Sequence, residues 1–189
     1  MNAQTYIFAS DIHGSISATQ KLADIAEQTC ADKIILLGDI LNQNFSIEHN
    51  DDYQPNLVAE ILNRYRNNII AVKGNGDNQQ TQSKLSFPCL NPFHLLPIAS
   101  NKRLFLTHGH LYKDLFPVQL SHKDIIVCGH THFPSIEVTD QKLCINPGSL
   151  AYPRNGFRAS YGILKNNVFK IVNTDGSIFR QHDLNISMN

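Results

Sequence analysis

The sequence predicts an α/β fold in which two β-sheets pack face to face and helices cover the outside. In the first half of the chain, three short apolar runs at 5–9, 33–37 and 68–72 alternate with amphipathic stretches. The second half instead contains two pairs of strand-like runs joined by short polar turns. The 189 residues contain no Pro/Gly-rich linker, so we expect one domain spanning residues 1–189.

The first half is predicted to alternate buried strands with helices. Its three apolar runs show little polar alternation, which is typical of strands buried on both faces. Helical periodicity covers 17–29 and 56–65, and Pro55 stands where a first helical turn tolerates proline. Between the second strand and the second helix, the polar stretch 42–55 predicts a long loop of the kind that often carries function.

The second half is predicted to add strands that pair antiparallel. Apolar runs at 103–107 and 124–128 lead into histidine-containing loops. Further along, the polar pairs 140–141 and 166–167 each separate two strand-like runs, a pattern typical of β-hairpins. The runs that we expect to pair are 136–139 with 143–146, and 160–164 with 168–172.

Composition excludes several classes of function. Lys+Arg and Asp+Glu are both 16, so no overall charge draws the chain to nucleic acid or to an anionic membrane. The N-terminus lacks the pattern of a signal peptide, and no apolar stretch is long enough to span a bilayer. The four cysteines show no C-x-x-C spacing, which favours a reducing, cytoplasmic location over a thiolate zinc site.

Five short polar motifs follow the predicted strands. Ligands of open α/β sheets bind at the carboxyl ends of the strands, so these motifs should converge on one edge. A single D-x-H is more often turn chemistry and a single H-x-H is more often a surface feature, but their joint occurrence favours an O/N ligand set for divalent metals. The motifs are Asp11-Ile12-His13, Gly38-Asp39, Gly74-Asn75-Gly76-Asp77, His108-Gly109-His110 and Gly129-His130-Thr131-His132.

This ordered series, followed by the motif at 146–149 (NPGS), resembles the calcineurin-like metallophosphoesterase superfamily. Within it, the chain is similar to the small bacterial phosphodiesterases of the YfcE type over nearly its whole length. The resemblance implies a two-sheet αββα sandwich, two divalent metal ions (usually manganese) and, in many members, a symmetric homo-oligomer. It also implies a small phosphate-ester substrate, which a metal-bridging hydroxide attacks in line with the leaving group.

The resemblance assigns metal ligands to the motifs. Asp39 would bridge both ions, and Asp39 and Asn75 would take part in catalysis. Apart from the resemblance, we expect His110 to take part in catalysis and Asp77 to fix the tautomer of a ligand imidazole. The first ion would be held by Asp11, His13 and His132, and the second by Asn75, His108 and His130.

The chain departs from the family pattern at Gly76, where many members have His and YfcE-type relatives often have Cys. Glycine cannot protonate the leaving oxygen, so we expect a preference for diesters or for good leaving groups. His110 is a candidate replacement, and a histidine bonded to a loop carbonyl is the alternative reading. His49 could reach over the site, although a solvated loop position is favoured.

Substrate contacts and pocket walls can be predicted only broadly. Asn42 and Arg154 are candidates for binding phosphate oxygens. A phosphomonoesterase or nucleotide hydrolase remains open, because the same pair of metal ions serves both reactions. A non-catalytic scaffold is disfavoured, since every expected ligand position is filled. Aromatic residues that could line the pocket, or equally belong to the core or surface, are Phe45, Tyr53, Phe133 and Tyr152.

Overall fold

The computed structural model describes residues 4–42, 51–98, 102–112, 116–121 and 123–185. Most of the predicted 42–55 loop, including Phe45 and His49, therefore lies outside the described residues. In chain order the elements are β1 (Tyr6–Ala9), α1 (Ile16–Gln28), β2 (Lys33–Leu36), α2 (Pro55–Arg64), β3 (Ile69–Ala71), α3 (Gln79–Lys84), β4 (Phe93–Ile98), β5 (Lys102–Thr107), β6 (Ile125–Val127), β7 (Pro134–Thr139), β8 (Lys142–Pro147), β9 (Ser160–Lys165), β10 (Val168–Asn173) and β11 (Ile178–Asp183).

The strands form two mixed sheets, as predicted. The six-stranded sheet has the order β11-β10-β9-β1-β2-β3, in which β1, β2 and β3 run parallel. The five-stranded sheet has the order β4-β5-β6-β8-β7, in which β5, β6 and β8 run parallel. Antiparallel hairpins complete both sheets. The carboxyl ends of the parallel strands carry the polar motifs.

The two predicted hairpins form with the expected turn chemistry. Asp140 and Gln141 have φ angles of 49° and 61°, and Asn166 and Asn167 have φ angles of 52° and 61°. Positive φ at both central residues is the signature of a type I′ turn, whose twist matches that of the flanking strands. The turns therefore fix the register of β7 with β8 and of β9 with β10.

Alternate residues of β1 belong to two different cores. Ile7 and Ala9 pack with the helices, whereas Phe8 lies in the core between the sheets, with its ring 4.9 Å from that of Phe169. Because both faces of the strand are covered, its sequence is apolar throughout. Leu104 and Leu106 of β5 contribute to the same inter-sheet core from the other side.

Helices α1 and α2 cover the outer face of the six-stranded sheet. Ser15 caps α1 by accepting a hydrogen bond from the Ala18 N–H, and α2 begins with Pro55. The buried side chains of both helices, such as Leu22 and Leu62, join the core that contains Ile7 and Ala9. None of the described helices has the length and apolarity that crossing a membrane would require.

Candidate metal centre

Hydrogen bonds tie the five polar loops together at one edge of the sandwich. The His13 N–H donates to the Asp39 carbonyl at 2.9 Å, which joins the first loop to the second. The Gly76 N–H donates to Asp39 Oδ1 at 2.8 Å, which adds the third loop. The Gly129 N–H donates to the His108 carbonyl at 3.0 Å, which joins the fourth loop to the fifth. The His130 N–H donates to Asp11 Oδ2 at 3.0 Å, which joins the fifth loop to the first. The predicted convergence of the motifs is therefore confirmed.

Asp11, His13 and His132 form a buried group that fits a metal ion. Asp11 Oδ1 lies 3.3 Å from His132 Nε2 and 3.9 Å from His13 Nε2. In the described part of the chain, Asp11 Oδ1 and His13 Nε2 are buried without a hydrogen-bond partner. Leaving such buried atoms unpaired is costly in free energy, whereas a divalent cation would bind the ligand atoms of all three residues.

A second buried group, Asp11, Asp39 and His108, adjoins the first. The amide oxygen of Asn75 lies 3.0 Å from His108 Nε2, so both atoms face the same point. Asp39 Oδ2 lies 3.6 Å from His108 Nε2 and 3.8 Å from His13 Nε2. This oxygen thus lies between His13 of the first group and His108 of the second, which is the location that a bridging carboxylate needs.

Backbone carbonyls orient the three buried imidazoles. In each ring Nδ1 is engaged by a carbonyl, so an Nδ1–H tautomer leaves the Nε2 lone pair free to face the centre. Asp77 was predicted to fix a ligand tautomer, but in the described structure it accepts hydrogen bonds from backbone N–H groups and from none of these rings, so that prediction is wrong. The pairs are His13 Nδ1 with the Asn42 carbonyl at 3.2 Å, His108 Nδ1 with the Leu37 carbonyl at 2.7 Å, and His132 Nδ1 with the Tyr152 carbonyl at 2.5 Å.

Asp77 instead holds the backbone beneath the centre. Its Oδ2 accepts from the Asp39 N–H at 2.7 Å and from the Gly74 N–H at 2.9 Å, while Oδ1 accepts from the Ile40 N–H at 3.0 Å. Burial raises the pKa of the Asp77 carboxyl even though these donors oppose the shift. The physical reason for the wrong prediction is that three N–H groups of two loops converge on this carboxylate.

Five of the seven candidate ligands have an unusual backbone conformation. Their positive φ angles place them in the left-handed region, which non-glycine residues rarely adopt. Strain of this kind concentrates at functional sites, where the surrounding structure enforces it. The residues are Asp11 (54°), His13 (49°), Asp39 (52°), His130 (69°) and His132 (65°).

Electrostatics keep most of these groups in forms that can bind metal. Burial lowers the pKa of His13, His110 and His130, which favours neutral rings. Burial alone would raise the pKa of Asp11, but the combined interactions with His132, His108 and Ser10 outweigh burial and lower it. Burial alone would lower the pKa of His132, but Asp11 and the Tyr152 carbonyl together outweigh burial and raise it.

His130 and His110 border the second group. The His130 ring lies 5.0 Å from that of His108 and is exposed, and its backbone N–H donates to Asp11 Oδ2 at 3.0 Å. The His110 ring lies 5.3 Å from that of His108. Within the described residues, His110 Nδ1 is buried without a hydrogen-bond partner, so the carbonyl-bonded alternative is not seen at that nitrogen.

Three supporting residues were missed by sequence reasoning. Ser10 Oγ donates to Asp11 Oδ2 at 2.7 Å, and Ser149 Oγ donates to the Asp11 carbonyl at 2.9 Å. Asn146 Nδ2 donates to the Gly129 carbonyl at 2.8 Å, which steadies the fifth loop. The motif at 146–149 was noticed only as part of a resemblance, and its two polar side chains were the available signal.

Comparison with known proteins identifies the family. The calcineurin-like phosphoesterase superfamily domain matches residues 5–167. The chain belongs to this superfamily. It is 39% identical to the phosphodiesterase YfcE of Escherichia coli strain K12 over 180 residues, which cover 95% of this chain and 97% of the relative.

Two solved structures support the fold. The structure of the E. coli phosphoesterase YfcE matches with a TM-score of 0.89 at 38% identity and covers 96% of this chain and 100% of that one. Vps29 of Entamoeba histolytica, solved in complex with zinc, matches with a TM-score of 0.59 at 20% identity, covering 96% of this chain and 99% of its own. The second likeness bears on the fold alone.

In this superfamily member the space beside Gly76 is filled by the side chain of Asn42. A Cβ built on Gly76 would lie 2.0 Å from Asn42 Nδ2 and 2.2 Å from Asn42 Cγ. The Asn42 amide therefore occupies the space that a side chain at position 76 would need. Asn42 thus lies at the centre, whereas Arg154 is exposed and acts on His132 through its charge, opposing the rise in the pKa of that ring.

Proposed function

We propose that this protein is a dimetal phosphodiesterase that hydrolyses a small phosphate diester by in-line attack of hydroxide on phosphorus. The position of Asp39 Oδ2 between His13 and His108, at 3.8 Å and 3.6 Å from their Nε2 atoms, carries the proposal. The two ligand groups have Asp11 in common and are close enough together to suit a pair of cations. Membership of the phosphoesterase superfamily and the similarity to a phosphodiesterase support the same reaction.

The candidate ligands divide between two ions that share Asp39. When bound, the two cations would neutralise phosphoryl oxygens and make hydroxide available near neutral pH. Carboxylate, amide and imidazole ligands suit borderline divalent ions, and we propose manganese. Asp11, His13 and His132 would hold one ion, and Asn75, His108 and His130 would hold the other, with Asp39 as the bridge.

The remaining residues act on the substrate. His110 borders the second group, and its Nδ1 has no hydrogen-bond partner among the described residues, so it can donate a hydrogen bond to the leaving oxygen. Asn42 can donate its amide hydrogens to a phosphate oxygen but cannot transfer a proton. Arg154 adds positive charge at the exposed side of His132. Limited protonation of the leaving group favours diesters and good leaving groups.

Metal content and matched substrates test the proposal. Metal-free protein is titrated with manganese, and bound metal is measured by elemental analysis in the wild type, in Asp39→Asn and in Asp175→Asn. Asp175 is an exposed carboxylate paired with Arg158, so it serves as the matched control. We expect two ions per chain in the wild type and the control, and fewer in Asp39→Asn.

Turnover of bis(4-nitrophenyl) phosphate is then compared with that of 4-nitrophenyl phosphate at saturating manganese. We expect the diester to be hydrolysed faster. Faster turnover of the monoester would indicate a phosphomonoesterase instead. Absence of bound metal together with absence of a manganese-dependent thermal shift would revive a non-catalytic scaffold. Sedimentation of the same samples would test the homo-oligomer, which stays a prediction.

A further inference from the structure

A cavity of about 330 Å³ adjoins the candidate metal centre. It reaches the centre through Gly76 and Asn42, which both line it. The Gly76 N–H donates to Asp39 Oδ1 at 2.8 Å, and the Asn42 carbonyl is paired with His13 Nδ1 at 3.2 Å. The wall of the cavity is thus bonded directly to candidate ligands of both proposed ions.

We propose that this cavity receives an ester substituent of the substrate, and that this substituent is a planar ring bearing an anionic group. The inference rests on the proposed function, since it places one arm of a phosphodiester whose phosphorus lies at the metal centre. The volume lies within the range of about 300–1,000 Å³ that is usual for small-ligand sites, and it suits one ring with a charged group.

The lining combines apolar, polar and charged side chains. Tyr53, Leu41 and Pro55 can provide apolar and aromatic contact for a planar group. Lys84 is the only charged side chain in the lining that the structure describes. Its ammonium donates to Asn56 Oδ1 at 2.6 Å, which is a neutral amide. Among the described residues this contact brings no negative charge to the ammonium, and its two further N–H donors can bind a ligand.

The junction between cavity and centre depends on a glycine. A Cβ at position 76 would force the Asn42 amide out of the wall, because the two would lie 2.0 Å apart. In the described part of the chain, Asn42 Oδ1 is buried without a hydrogen-bond partner. A substrate group that passes this point can satisfy it. Gly76 and Asn42 together therefore form the passage from phosphorus to the cavity.

Symmetric diesters test the proposal, because either arm then carries the same group. The probes are bis(4-carboxyphenyl) phosphate and its neutral counterpart bis(4-carbamoylphenyl) phosphate, with manganese present and the released phenol measured by chromatography. We expect the wild type to have a higher kcat/KM for the carboxylate probe than for the carbamoyl probe. In Lys84→Met the ratio of these two kcat/KM values should fall about five-fold, as expected for one partly exposed ion pair.

Two control variants isolate the position of the charge. Lys84→Arg should retain the ratio because it keeps the cation. Lys165→Met removes an exposed lysine that does not line the cavity, and it should also leave the ratio unchanged. An equal ratio in Lys84→Met and the wild type would overturn the proposal.

A binding measurement separates failure of this inference from failure of the proposed function. If the wild type hydrolyses neither diester with manganese, the proposed function fails. Calorimetric binding of 4-carboxyphenyl phosphate and 4-carbamoylphenyl phosphate then decides on the cavity. A carboxylate preference that Lys84→Met abolishes would sustain the subsite, and equal binding of the two probes would overturn it.

Discussion

Replacement of Asp77 by asparagine should destabilise the protein and loosen the metal centre. The carboxylate accepts three backbone N–H bonds, from Asp39 at 2.7 Å, Gly74 at 2.9 Å and Ile40 at 3.0 Å. Only 2% of its surface is exposed, so water cannot replace a lost partner. An asparagine amide has one acceptor oxygen, and its NH₂ group would face at least one of these N–H donors.

The change in unfolding free energy of Asp77→Asn combines the hydrogen bonds that are lost with the buried charge that is removed. A hydrogen bond to a charged group contributes about 1.5–3 kcal/mol, and an unpaired buried donor costs about 1–3 kcal/mol. Two bonds to the amide oxygen would persist in weaker, neutral form. Removal of a buried charge offsets part of the loss, since burial already raises the pKa of this carboxyl. We expect a net loss of about 2–4 kcal/mol in the free energy of unfolding.

Urea unfolding of the metal-free protein measures this loss, with Asp175→Asn as the matched surface control. The control should change the free energy of unfolding by less than about 0.5 kcal/mol. Manganese affinity should also fall in Asp77→Asn, because the Asp39 backbone would no longer be fixed. An Asp77→Asn variant as stable as the control, with unchanged manganese affinity, would refute this account of the carboxylate.

Four further predictions follow from other contacts. Gly76→Cys should cost about 1–3 kcal/mol in unfolding free energy, because the new Cβ displaces the Asn42 amide. The added Asn42→Ala change should recover most of that loss. If the effects of the two changes simply added, positions 76 and 42 would not be coupled. The hydrogen bonds from Arg103 lower the pKa of Asp124, so its contribution to stability is full above the unfolded pKa of about 3.9 and is lost as the pH falls through the lower folded pKa. Urea unfolding at a series of pH values should therefore show a weaker acid dependence in Asp124→Asn, and an unchanged dependence would argue against the pair. Asn146→Ala should cost about 2–3 kcal/mol and weaken manganese binding, since Asn146 holds the Gly129 carbonyl; calorimetry checks both, and unchanged manganese affinity would show that the fifth loop does not need it. Rates over a series of aryl diesters should fall steeply as the pKa of the leaving phenol rises, and rates that hardly vary would show that an efficient acid is present.

The sequence was sufficient to predict the two sheets, the turns and the place of the site. Apolar runs without alternation marked β1, β2 and β5 because both faces of these strands are buried. The elements that escaped prediction lack such a signal. Strand β4 contains Pro97 and lies at a sheet edge, and β11 is a polar edge strand. Helix α3 has six mostly polar residues and depends on the capping box of Asn78.

The sequence predicted which residues of the site lie close together, but not the direction in which their side chains point. Because strand ends meet at one edge, the motifs placed five residues together, namely Asp11, His13, Asp39, His108 and His132. The sequence could not show which atoms orient the rings. Backbone carbonyls do so, and any residue type can supply a carbonyl. The role of Asp77 was misjudged for the same reason, since its partners are N–H groups that leave no trace in the sequence.

Position 76 shows how the structure changes the meaning of an absent side chain. From the sequence, Gly76 leaves the role of leaving-group acid vacant. In the fold, the Asn42 amide fills the space that a side chain there would occupy. An amide can donate a hydrogen bond to an oxygen that gains charge, but it cannot transfer a proton. We therefore propose that Gly76 and Asn42 act as a pair that replaces protonation with hydrogen bonding and keeps the way open to the cavity beyond. A diester with a stable leaving group and a large substituent would require this combination.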